Sequence, residues 1–153
     1  KLNNITNYPL VDKLYEASQA GVKIKMMVRG ICCLVPGVKG LSENITVLSV
    51  VDKFLEHPRV LIFENGGEKK IYLSSADFMT RNIENRVEVA CPVYDKEIQK
   101  QILDTFDLSW NDNTKARIVN QHPQNKMVTP KKGAPMQRSQ WTIYDYYKNK
   151  LIQ

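Results

Sequence analysis

Histidine occurs only twice in these 153 residues, as His57 and His122, and cysteine three times, as Cys32, Cys33 and Cys91. The cysteines form no Cys-x-x-Cys pair and no Cys/His spacing of the zinc-binding kind, which excludes a zinc ribbon or finger. An odd count with two adjacent residues argues against a disulfide-built secreted domain and for a reducing cytosol, and of two readings for Cys33, facing a phosphate or buried as a small hydrophobe in the core, the second is favoured. No apolar run approaches the roughly 20 residues that cross a bilayer, and no basic-then-apolar leader is visible. The Asn-x-Thr sequons at Asn4 and Asn44 therefore read as chance matches. Acidic residues are missing altogether from Asn113 to Tyr144, where Lys115, Arg117, Lys126, Lys131, Lys132 and Arg138 all fall. Such a field attracts a polyanion (nucleic acid, a phosphate chain or an anionic membrane); the alternative is a solvated loop with incidental lysines.

What is present is the make-up of one globular domain. Apolar residues account for 42% and charged residues for 25%, with a formal net charge of +6, and the length suits a single core spanning residues 1–153. The sequence opens at Lys1 partway through what reads as an ordered segment, so a fragment of a larger protein is expected. There is no internal repeat and no low-complexity tract.

Helical spacing of Leu10, Leu14 and Ala17 before Gly21 predicts a helix over 9–20. VKIKMMVR and ITVLSVV read as strands, and DKFLEHP as a helical turn or bend closed before Pro58. RVLIF and KIYLSS flank Asn65-Gly66, a strong hairpin signal. RVEVACPV is a further strand, 96–108 a helix, KARIV a short strand and 140–151 a terminal helix. Helices alternating with short apolar strands predict an α/β fold, a mixed β-sheet of about five to seven strands flanked by helices.

Four groups of residues carry candidate chemistry. Arg29 ends a strand directly before Gly30, where ligands gather in α/β sheets and a guanidinium suits an anionic oxygen; the bland reading is a surface arginine paired with a carboxylate. His57 and Arg59 stand two apart at the mouth of a strand, so both can face one anion. Across the hairpin, Ser74, Ser75 and Asp77 should lie beside His57, with Arg81 and Asn82 just beyond. Hydroxyls and an amide hold phosphate oxygens, and a carboxylate can orient an imidazole. His122 lacks the strand, hairpin and hydroxyl turn and reads as a loop histidine.

His-Pro-Arg, a hairpin and Ser-Ser-Ala-Asp in this order resemble the second half of a phospholipase D motif, usually written His-x-Lys and Gly-Ser-x-Asn. Longer stretches are more telling. LYEASQAGVKIKMMVRGICCLVPGVKGLSENI, FLEHPRVLIFENGG and YLSSADFMTRNIENRVEV, with the opening KLNN and the later TKARIVN and IYDYY, resemble the C-terminal region of bacterial polyphosphate kinases of the phospholipase-D-like type. The resemblance covers nearly the whole chain, leaving only 121–139 loosely patterned.

It implies a phospholipase-D-like domain of a cytoplasmic kinase that reversibly moves the terminal phosphate of ATP onto inorganic polyphosphate. The phosphohistidine would belong to an upstream domain absent from this sequence. Arg29 then falls on the ATP-contacting arginine of the family's VRGIC motif, and His57 on the second active-site histidine, with an acid–base or electrostatic role. Arg59, Ser74, Ser75, Arg81 and Asn82 become further phosphate contacts, although Arg59 or Arg81 can instead pair structurally with Glu88 or Asp77. Magnesium is implied by the reaction, with no ligand set evident in this chain. The implied partners are ATP or ADP, polyphosphate, the upstream domains and further copies of the enzyme; no nucleic acid is implied, and membrane association stays open without being indicated. Two alternatives stay open: a polyanion-binding or oligomerisation module without chemistry of its own, and a phospholipase-D-type phosphodiesterase. His-x-Arg in place of His-x-Lys disfavours the second.

Overall fold

The computed structural model describes residues 1–122, 124–130 and 132–151; Lys131 of the basic segment, with Pro123, Ile152 and Gln153, lies outside the described residues. The first helix, α1 (Tyr8–Gln19), starts where the Asn7 side chain accepts the Leu10 N–H at 3.1 Å, a cap that satisfies one of the unpaired amides of the first turn. It ends at Gly21, whose φ of 88° suits a residue without Cβ.

Two three-stranded ladders follow. In one, β1 (Ile24–Met27) runs parallel to β2 (Ile45–Val50), and β2 pairs antiparallel with β6 (Ala116–Val119). In the other, β3 (Val60–Phe63), β4 (Lys70–Ser74) and β5 (Ala90–Pro92) form an antiparallel meander. The β3–β4 turn is the expected Asn65-Gly66 pair, both residues at positive φ. In place of one mixed sheet, the described residues thus form two three-stranded sheets, six strands in all. Residues 1–5 join the halves: Leu2 bridges Val28 and Ile5 bridges both Cys32 and Phe78, while the Val60 N–H donates to the Lys1 carbonyl at 3.0 Å.

The core lies where α1 packs on the first ladder. Leu2, Ile5, Val11, Met26, Val28, Leu34, Ile45 and Val47 form one buried cluster, with Leu14, Tyr15, Cys32 and Phe78 against it. Parallel strands covered on both faces bury consecutive residues, which is why Met26-Met27 and Val47-Leu48 are all interior.

Helix α3 (Lys96–Trp110) is capped by Asp95, which accepts the Glu97 and Ile98 amides, both at 2.9 Å. It packs on α4 (Ser139–Leu151). Asp112, wholly buried, accepts the amides of Thr114, Lys115, Ala116 and Ser139, fixing the starts of β6 and α4 together. Burial alone would raise its carboxyl, and these amides hold it below the usual carboxylate range.

Three expectations need correction. Cys33 is exposed: after Gly30 the backbone is extended, so Cys32 and Leu34 turn inward while Ile31 and Cys33 turn out. RVEVACPV keeps only three residues of strand, because Arg86 to Val89 lie outside the ladder, with Val87 99% exposed. A short helix unforeseen in the sequence, α2 (Thr80–Glu84), lies between the serine turn and β5.

Candidate functional site

The site forms at the seam between the ladders. Arg29 follows β1, and His57 and Arg59 precede β3. The Arg29 Nη2 lies 3.1 Å from His57 Nδ1, and the Arg59 Nη2 lies 2.7 Å from His57 Nε2. Two guanidiniums therefore flank one exposed imidazole, as the strand-end reading expects. A neutral imidazole has one acceptor nitrogen, so both arginines cannot donate to it at once. An acceptor oxygen entering here would relieve that shortage and offset the clustered positive charge.

Asp77 does not touch the imidazole. Only 3% exposed, it accepts from Arg59 Nη2 at 3.2 Å and from the backbone amides of Asn3 and Asn4 at 2.8 and 3.3 Å. Burial by itself would raise its carboxyl, while Arg59 and these amides keep it below the usual range. Arg29 has a second support, donating from Nε and Nη2 to the Asn3 side-chain carbonyl at 3.3 and 2.8 Å. Sequence reasoning missed Asn3 and Asn4. They stand 26 and more positions from the residues they hold, and no local pattern marks such a pairing.

The structure gives the serine turn other partners. Ser74 N–H donates to the Arg59 carbonyl at 2.9 Å, which sets the turn beside the site, and its hydroxyl accepts from the Ala76 amide at 3.0 Å. The Ser75 hydroxyl and the Asn82 amide both bind Glu88, the latter at 2.5 Å. Those two bonds hold the Glu88 carboxyl below its ordinary range. Arg81 is exposed on α2. Arg59 Nε and Asn82 Oδ1 are buried and make no hydrogen bond among the described residues.

Charge placement also separates this seam from its surroundings. A cavity of about 370 Å³ opens between α3, α4 and residues 54–60, but Phe54, Pro58, Ile102, Phe106 and Ile143 make its walls apolar, unsuited to phosphate. Within the basic segment, Arg138 is held by both Asp52 oxygens at 2.7 and 2.6 Å, whereas Lys126 and Lys132 are exposed. No helix among the described residues is long and apolar enough to cross a membrane.

Residues 1–140 match the family model described as polyphosphate kinase C-terminal domain 2. This chain belongs to that family. Over 149 residues it is 50% identical to the polyphosphate kinase of Vibrio parahaemolyticus and 49% identical to that of Escherichia coli K12. The crystal structure of polyphosphate kinase from Porphyromonas gingivalis superposes with a TM-score of 0.93 at 42% identity over 97% of the chain. The phospholipase-D-like α/β fold expected for a polyphosphate kinase C-terminal domain is thus the one observed. The chain covers 97% of itself in these matches but only 21–23% of each relative, so the relatives carry extensive further sequence.

Proposed function

We propose that this domain forms one wall of a phosphotransfer site in a cytoplasmic polyphosphate kinase, moving the terminal phosphate of ATP reversibly onto inorganic polyphosphate. The observation that carries the proposal is the imidazole of His57 set between the guanidiniums of Arg29 and Arg59. Phosphoryl transfer needs little from the protein beyond alignment and neutralisation of charge on the oxygens. Arg29 offers a planar fork to a terminal phosphate, and Arg59 steadies a second oxygen. His57 exchanges a proton with, or lends charge to, the leaving oxygen. The phosphohistidine resides on a part of the protein outside this chain.

Magnesium enters, in this reading, with the nucleotide. The described residues include no group of three side chains fit to hold a metal ion, and the Asp77 carboxylate is already occupied by Arg59 and two amides.

The test uses the full-length protein. Arg29→Ala should lower kcat/KM for ATP about 100-fold or more, the scale of losing one preorganised charge-stabilising donor, and should weaken ATP binding. Arg29→Lys should recover part of that loss, since an ammonium lacks the fork. His57→Gln should keep ATP affinity and lose turnover. Normal turnover in His57→Gln would overturn the assignment of His57.

A further inference from the structure

Arg29 bonds one asparagine directly, and Arg59 reaches the same asparagine through Asp77. Asn3 is 3% exposed. Its side-chain carbonyl accepts from Arg29 Nε and Nη2 at 3.3 and 2.8 Å. The Nδ2 of the same amide donates to Asp77 Oδ1 and Oδ2 at 3.2 and 3.3 Å, and the Asn3 backbone N–H donates to Asp77 Oδ1 at 2.8 Å. Asp77 in turn holds Arg59 at 3.2 Å.

A continuous chain of bonds thus runs from Arg29 through Asn3 and Asp77 to Arg59, and the two guanidiniums at its ends close on His57 from opposite ring nitrogens. We propose that Asn3 is a positioning residue for phosphotransfer, setting both guanidiniums in register across His57. It touches neither nucleotide nor phosphate itself.

The chemistry of the position supports this. An amide presents an acceptor and a donor on one short planar group. Alanine supplies neither. Aspartate would accept from Arg29 but set a second carboxylate against Asp77. The backbone is built to bring Asn3 here: the Gly30 N–H donates to the Asn3 carbonyl at 2.7 Å. A Cβ on Gly30 would lie 3.1 Å from that carbonyl and 2.4 Å from Asn4 Oδ1, the atom that accepts the Ile31 amide at 2.8 Å. On the Arg29 guanidinium, Nη1 makes no hydrogen bond among the described residues, so the clamp by Asn3 leaves two N–H groups for a phosphate oxygen.

A purely structural tie would use the same bonds, and the two roles separate experimentally. Resting on the phosphotransfer reading above, the test measures kcat, KM for ATP, ATP binding by calorimetry and thermal midpoint on the full-length protein. Two variants are compared with wild type: Asn3→Ala and Asn3→Asp.

Asn3→Ala should lose at least tenfold in kcat/KM. Asn3→Asp should keep most ATP affinity, because Arg29 retains its acceptor, while kcat falls at least tenfold as Arg59 is displaced.

Single variants within twofold of wild type overturn the proposal. So does a loss that disappears when activity is corrected for the folded fraction. If the wild-type protein moves no phosphate between ATP and polyphosphate, the functional reading fails by itself. Asn3 is then judged on ATP binding alone: tenfold weakening in Asn3→Ala upholds the positioning role, and unchanged affinity overturns it.

Discussion

The two ladders of this domain are alike in strand number and differ in what covers them. In the first, Met26, Met27, Ile45, Val47, Leu48 and Ala116 are buried, and α1 and residues 2–5 close over them. In the second, only Ile71 is fully interior, while Phe63 and Leu73 stand about half exposed. Apolar burial stabilises by about 25 cal/mol per Å², so the first ladder carries most of the stability. The second carries little more than its own hairpin bonds and the side chains at its base. The candidate site lies between them, where a well-packed ladder supplies Arg29, an open one supplies His57 and Arg59, and residues 1–5 fix the distance between the two.

This asymmetry can be broken at a matched pair of positions. Ile45→Ala in β2 removes a side chain only 2% exposed and should cost about 2–5 kcal/mol, the range for truncating a buried isoleucine. Leu73→Ala in β4, at 44% exposure, should cost less than about 1 kcal/mol. Thermal and denaturant melts of the full-length protein measure both, and equal costs would show that another part of the protein covers the second ladder.

A smaller effect is expected at the seam. Gly30→Ala sets a Cβ against the Asn4 side-chain oxygen and tightly against the Asn3 carbonyl, so both must shift, at about 1–3 kcal/mol for overpacking. Because Asn3 moves with them, phosphotransfer should fall further than the melt implies. Activity that follows the folded fraction alone would mean that the seam tolerates the shift. The smallest effect belongs to the outer edge: Val87→Ser, at a position 99% exposed, should change stability by no more than about 0.5 kcal/mol. A cost well above 1 kcal/mol would place Val87 in an interface with the remainder of the protein.

Much of the fold was legible because its signals are local. The helical spacing before Gly21, the Asn65-Gly66 turn and the β-rich runs ITVLSVV and RVLIF each depend on neighbours within a few residues, and each became the expected element. RVEVACPV did not, since its apolar alternation says nothing about whether a partner strand is available. Where the sequence suggested Ser75 and Asn82 as phosphate contacts, the folded chain has both bound to Glu88. Their hydrogen-bonding capacity was evident, and its destination was not.

From the sequence alone, the candidate groups were evident: arginines and a histidine at strand ends, an acid-free basic segment, and motif stretches that resemble the polyphosphate kinase C-terminal region. Only the tertiary structure decided which of these groups meet. Arg29 and His57 are 28 positions apart, and Asn3 and Asp77 are 74 apart. Contacts of that span are closed by burial of Leu2 and Ile5 in the seam, a non-directional force summed over the whole core, which no local run of residues records.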